Sequence, residues 1–440
     1  MIFPFGPGPE TTHNRRPRKP VTLYLALLVA ALPALFAHTA DARPDLPLTL
    51  AEAEDLALAA EPGRMALEAR AAALDERAVV AGVLPEPTLR IGVNNFPLQS
   101  GGFSTEGMTQ AALAYRQAFP AGKTRALGAE RFGLLSDELS ASAEARARNV
   151  RTAAQSAWLE LYFLGRAETL IRESRPFFVD LAEITRSLYA VGRKTQQDVL
   201  RAELELSRLD DRLIDIERQR ARARAALAEW VGDAANRPVA SNFPDWSSLP
   251  PLTALQDSLS GHPALLAANA QIDASRTAVQ IADEQSKPTW ALDVGYGYRQ
   301  GNLPGGEPRS DMVTVGVTVG LPFFRSKSVD SELTAALHER SAAESTKLRL
   351  ERELERQLRA EYAQWQELTR RLELYDTRIL DQSQDQAEAA LLAYRSDAGD
   401  FADVMRAYID YLNTRIEHKR LRVDRARSYA MLANLGGLTP

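Results

Sequence analysis

The 440-residue chain contains no cysteine. That removes a disulfide framework, a thiolate nucleophile, a Cys-ligated zinc centre and a lipid-anchored N-terminal Cys from consideration. Histidine is scarce as well. Of five, His13 and His38 fall in the first 42 residues, and His262, His338 and His418 stand apart from any metal-ligand spacing. They read as surface or packing residues. The glycine-rich segments lack a phosphate-binding signature, and no nucleophile and base recur together. The sequence therefore predicts no catalytic, cofactor-binding or metal site, and no enzyme. Aromatics make up only 7% of the chain, which suits helices packed closely through small side chains. Net charge is a mild −5, so nucleic acid is not an expected partner.

Long hydrophobic runs are missing too, with one exception. Arg15, Arg16, Arg18 and Lys19 precede an apolar stretch from Val21 to Ala37, and Ala40-Asp41-Ala42 follows as a small-x-small site. Residues 1–42 thus read as a cleaved export signal, against the alternative of a retained anchor. Removing it leaves 49 basic and 56 acidic residues, a net of −7. No later stretch approaches the ~18 consecutive apolar residues of a spanning helix. If the mature chain enters a membrane, it does so as β-strands.

Residues 323–398 contain neither glycine nor proline, although the chain holds 25 Gly and 24 Pro. Leu350, Leu354, Leu358, Tyr362, Trp365, Leu368, Leu372, Tyr375 and Ile379 recur there at spacings of three and four. The result is a thin apolar stripe between Glu, Arg, Gln and Ala, the seam of a coiled coil. At 1.5 Å per residue such a rod reaches roughly 100 Å. A helix of that length is a spacer, a tether or the wall of a tube.

The chain also matches itself. Pro62, Ala66, Ala69 and Pro87 align with Pro263, Ala267, Ala270 and Pro288, and Tyr189 and Asp198-Val199 align farther on with Tyr394 and Asp403-Val404. The expected organisation is a first repeat over 43–232, a proline-rich linker over 233–251 and a second repeat over 252–440. Each repeat reads as a helix (48–84; 252–285), two strands (88–97 and 109–119; 289–299 and 312–321), a very long helix (122–190; 324–395) and a medium helix (196–232; 401–435). Pro176 and several glycines lead us to expect kinks in the first long helix.

In the strands Trp290, Leu292, Val294, Tyr296 and Tyr298 alternate with Ala291, Asp293, Gly295, Gly297 and Arg299, and Val313 to Leu321 alternate with Met312 to Gly320. The earlier pair repeats this more weakly. Each run has about the length of a tilted transmembrane strand, although a hairpin with one buried face fits the alternation too. Four strands cannot close a barrel. A membrane reading therefore requires several chains to share one.

In its duplicated order, its Leu84-Pro85-Glu86-Pro87-Thr88-Leu89 and Gln117-Ala118-Phe119-Pro120 segments, Tyr189-Ala190-Val191-Gly192 and the two Asp-Val turns, the chain resembles the TolC family of outer membrane efflux proteins. The stretch Ile91 to Pro97, Met108-Thr109 and Gln117 to Lys123 is similar to the heavy-metal branch related to CzcC and CusC. The resemblance implies an α+β membrane protein: a long α-helical coiled-coil barrel through the periplasm, and four strands per chain in a trimeric transmembrane β-barrel. It implies a homotrimer in outer membrane lipid, working with a periplasmic adaptor (membrane fusion protein) and an inner-membrane pump of the resistance-nodulation-division type. The function implied is a passive exit duct for solutes, heavy-metal cations among them. The alternative is a soluble periplasmic coiled-coil adaptor or scaffold. By the same resemblance Asp403 rings the periplasmic aperture, Tyr394 holds the inner helices shut and Asp198 is its counterpart in the other repeat. Arg406 stands where relatives carry a second acid, and one helical turn from Asp403 it can neutralise it. A helix N-cap after Gly399 is the bland reading of Asp403. Tyr189, Gly192, Leu200 and Gly399 are the expected adaptor-facing tip residues.

Overall fold

A computed structural model describes residues 46–59, 61–322, 326–396 and 398–438. The expected export signal lies outside these residues. Proline decides where two of the shorter helices begin. Residues 48–84 divide into α1 (Leu50–Ala59) and α2 (Pro62–Gly82), and 252–285 into α5 (Leu252–Ser258) and α6 (Pro263–Glu284). Pro62 and Pro263 each occupy a first helical turn, where the missing N–H costs nothing. The preceding Glu61 and His262 cap the new helices, accepting from the backbone N–H of Arg64 and Ala264.

The first long helix, α3 (Thr124–Ala190), runs unbroken through Pro176. Its partner α4 (Gln196–Val231) returns beside it, and a 3-10 turn over Gly232–Asn236 leads into the linker. In the second repeat α7 (Ser326–Leu374) passes through a π-helical turn, Tyr375–Ile379, into α8 (Leu380–Arg395), and α9 (Phe401–Gly436) returns. The two shorter helices of each repeat lie along the long one, α2 and α4 on α3, α6 and α9 on α7 and α8. The stripe foreseen on α7 is this seam. Leu354, Leu358, Leu368 and Leu372 are buried in it.

The linker is fastened to the start of the described chain. Leu48 bridges Val239 in parallel, donating its N–H to Pro238 O at 2.7 Å and accepting from Ala240 N at 3.0 Å. Beneath it sits fully buried Trp158, whose indole N–H donates to Leu48 O at 3.0 Å. Leu159, Leu227 and, from α9, Val423 and Ala426 complete this core. A second core, around Phe178, Leu181, Leu209, Phe401, Val404 and Leu412, joins the ends of both helical hairpins.

Strands β1 (Thr88–Asn94), β2 (Gln110–Phe119), β3 (Thr289–Tyr298) and β4 (Met312–Gly320) form one antiparallel sheet in sequence order. β1 stops short of Pro97 because Asn95 turns into positive φ (57°) ahead of Phe96-Pro97.

Candidate functional site

The register sorts the whole sheet into two faces, since directly paired residues point the same way. One row reads Leu89, Tyr115, Val294, Val315, and the next Ile91, Leu113, Tyr296, Val313. Nearer the helices come Gln117, Leu292, Val317 and then Phe119, Trp290, Val319. Apart from Gln117 this face is apolar or aromatic, and its Val315 is 67% exposed. Rows between them are small or polar: Arg90, Ala114, Gly295, Thr314 and Thr88, Arg116, Asp293, Gly316. There Asp293 lies 3.7 Å from the Arg116 guanidinium and accepts from Thr318 Oγ1 at 2.7 Å. Phe119 and Trp290 stack at 4.0 Å at one end of the apolar face, and Tyr298 stands at the other. Ten residues tilted by about 40° cover roughly 25 Å, the height of the apolar band on a membrane barrel.

Both outer edges of the sheet are unpaired among the described residues. The helices repeat that order, α2 on α3, α3 on α6, α6 on α7. One side of the chain therefore ends in β1 and α2 and the other in β4 and α7.

The sequence-matched tip residues occupy dissimilar surroundings. At the first tip α3 closes with a double bond pattern, Gly192 N to Tyr189 O and Arg193 N to Leu188 O, both 2.9 Å. It places Gly192 in the left-handed region (φ 72°), the conformation glycine adopts without penalty. Thr195 then caps α4 in a reciprocal box with Asp198, whose carboxylate accepts from Thr195 N at 3.2 Å and from Oγ1 at 2.8 Å. Leu200 is exposed, and Tyr189 is 45% exposed.

At the second tip the N-cap is Asp400, without a side-chain capping bond. This corrects the capping alternative for Asp403, which sits in the first turn of α9 and meets Arg406 at 3.3 Å. Both side chains of that pair are open to solvent, 62% and 71% exposed. Gly399 permits a close approach, since a Cβ there would stand 3.0 Å from Ala393 Cβ and 3.2 Å from its carbonyl carbon. Tyr394, equivalent to Tyr189, is only 4% exposed and packs edge-on against Phe401 at 5.8 Å. Lys194 of the first tip lies over the Tyr394 ring with Nζ 4.5 Å from its centre. Sequence reading missed this bridge between repeats, along with the Phe177–Tyr408 stack at 3.7 Å behind it. Their only signal was an aromatic near each hairpin end.

Among the described residues, no helix is long and apolar enough to cross a membrane and no group of His, Asp or Glu converges into a metal cluster. The family model of Outer membrane efflux protein matches residues 254–438. The fold is similar to that of the outer-membrane channel OprN (TM-score 0.72, 18% identity, 88% of this chain and 90% of that one). It is likewise similar to VceC from Vibrio cholerae (0.71, 18%, 88% and 96%) and to CusC (0.75, 13%, 89% and 93%). No curated protein matches in sequence. The family match thus lies over the second repeat, and the described chain as a whole has the fold of these outer-membrane channels.

Proposed function

We propose that three copies close head to tail, β1 and α2 of one against β4 and α7 of the next, into a twelve-stranded barrel continued by a helical tube. The observation that carries this reading is the sheet, apolar on one face apart from Gln117 and open at both edges among the described residues. Unpaired strand edges inside a bilayer are prohibitively costly, so the edges need partners. Two unlike edges on opposite sides make a heterologous contact, which closes into a ring. The apolar face meets lipid and the Arg116–Asp293 face lines the lumen.

In this reading the duct is passive. An inner-membrane pump of the resistance-nodulation-division type supplies the energy, and a periplasmic adaptor couples the two at the tips, where Tyr189 and Leu200 are exposed and Gly192 and Gly399 shape the turns. Asp403, Arg406 and Tyr394 form the aperture, with Asp198 setting the neighbouring turn. Heavy-metal cations are the proposed cargo, supported by the CusC-like segment Ile91 to Pro97 and by the exposed Asp403 carboxylate.

Because the chain has no cysteine, one introduced on β1 (Ile91→Cys) and one on β4 (Val313→Cys) report only on each other. Within a chain they stand three strand spacings apart, about 14 Å, beyond disulfide reach. Bifunctional thiol cross-linking in membranes should give a ladder ending at the trimer, and the purified protein should conduct in planar bilayers. Monomers alone, with silent bilayers, would overturn the proposal.

A further inference from the structure

Outside the sheet and the tips, four arginines converge where the linker crosses the helices. Arg166 comes from α3, Arg220 and Arg224 from successive turns of α4, and Arg237 from the linker's start. Together with Tyr162 and Ser241 they line a cavity of about 230 Å³. At roughly 30 Å³ per water, that is room for a small anion with several waters.

The charges do not balance. Arg237 is matched by Glu52 through two bonds, 2.7 and 2.9 Å, and Arg220 by Glu168. Glu168 is itself shared with Arg172 at 2.8 Å. Arg166 has no carboxylate: it donates to Ser241 O at 3.1 Å and lies over the Tyr162 ring. Arg224 makes no ion pair or hydrogen bond to any described residue, and the Nε atoms of Arg220 and Arg224 are both buried without a hydrogen-bond partner. All four side chains are half-buried. Half-desolvated guanidiniums that lack counter-charges destabilise the fold unless an anion joins them. A chain that is acidic overall has concentrated cations at a concave site.

We propose that this cavity is an anion site that takes a small oxyanion, phosphate or carboxylate, with Arg224 and Arg166 as its principal donors. Guanidinium presents paired N–H groups matched to two oxygens of such a group, which a chloride ion cannot bridge. The site is independent of the channel reading, since neither the barrel nor the tips contribute to it.

The test is calorimetric titration of the full-length protein in detergent with inorganic phosphate, and separately with acetate, each against sodium chloride of equal ionic strength. Arg224→Gln and Arg166→Gln are the site variants. Arg64→Gln, on an exposed face of α2, is the control for loss of one charge. Circular dichroism melting checks that each variant is folded. The expected result is saturable binding of one or both oxyanions, weakened at least tenfold by either site variant and unchanged in the control. A tetrahedral preference identifies phosphate chemistry, and a planar one identifies a carboxylate. Heat no different from that of chloride, or equal affinity in Arg224→Gln and the parent, overturns the proposal.

Discussion

Changing one residue and then its immediate neighbour tests which face of the sheet meets lipid. Val315, fourth of nine in β4, lies mid-strand in the row Leu89, Tyr115, Val294, Val315. Thr314 points the other way, beside Gly295 and in the row of Arg90. An arginine on the lipid face near the bilayer centre costs about 2–4 kcal/mol, and one on the lumen face almost nothing. In the proposed trimer, three copies multiply the first figure to roughly 6–12 kcal/mol, comparable with the whole stability of an ordinary domain. Val315→Arg should therefore abolish recovery of trimers from the outer membrane fraction, measured by native electrophoresis after mild extraction. Thr314→Arg should assemble normally and shift ion selectivity toward anions in planar bilayers. Equal assembly of both, or failure of Thr314→Arg alone, would refute the assignment of faces.

Three other perturbations probe the helices. Arg406→Ala releases Asp403 from its 3.3 Å partner and should raise cation selectivity, whereas Asp403→Ala should lower it; identical reversal potentials would remove both from the aperture. Tyr394→Ala opens a hole beside Phe401 and should destabilise the second tip by about 3 kcal/mol, read as faster exchange of α8 and α9 amides and a larger resting conductance. His418 of α9 is buried 2.8 Å from Asp376 and beside the Tyr375 ring; burial, then Lys419 and Arg422, outweigh Asp376 and lower its basicity. The unfolded chain then binds the proton more readily, so stability should fall as pH drops through and below 6.5, a slope that His418→Gln should flatten in melting curves.

What the sequence made legible follows from what repetition and period reveal. Alternation at period two is fixed by strand geometry, so the two faces of β3 and β4 could be read before their neighbours were known. The thin stripe of α7 announced its seam for the same reason. Pro62, followed by Gly63, and Pro263, preceded by Ser260-Gly261, were also readable as helix starts, and the breaks they mark were passed over. The tips show where letters fail. Tyr189 and Tyr394 are the same residue at matched positions, one exposed and one buried, because burial depends on which hairpin the other covers. Asp198 and Asp403 diverge for a reason that was present in the sequence. Thr195 three residues before Asp198 supplies a hydroxyl for a capping box, whereas Asp400 before Asp403 is a like charge, so Asp403 turns to Arg406. Arg220 and Arg224 are visible as an i, i+4 pair, but nothing in the sequence brings Arg166 and Arg237 to them.

The polar attachments of α9 to the first repeat grade from part-buried to exposed along its length. In its C-terminal half Glu160 of α3 accepts from Arg420 at 2.7 Å and Arg427 at 2.6 Å, Tyr429 stacks on Trp246, and Val423 and Ala426 enter the Trp158 core. Toward the tip, α9 keeps the buried contact of Phe401, Val404 and Leu412 with Phe178, Leu181 and Leu209 and the Phe177–Tyr408 stack, with Lys194 over Tyr394 of α8 beside it, while its polar ties thin to Arg212 to Asn413 at 3.0 Å and Arg415 to Glu173 at 3.4 Å. The polar ties are solvent-exposed and contribute little. An aromatic pair and a cation–π contact contribute about 0.5–1.5 and 0.5–1 kcal/mol, so separating three tips costs on the order of 3–8 kcal/mol beyond any area re-exposed. A nanomolar partner supplies about 12 kcal/mol on binding. Re-exposing the Phe178–Phe401 core would add to that cost, and the π-helical turn at Tyr375–Ile379, facing His418, is where the helix pair has a break in its regular bonding.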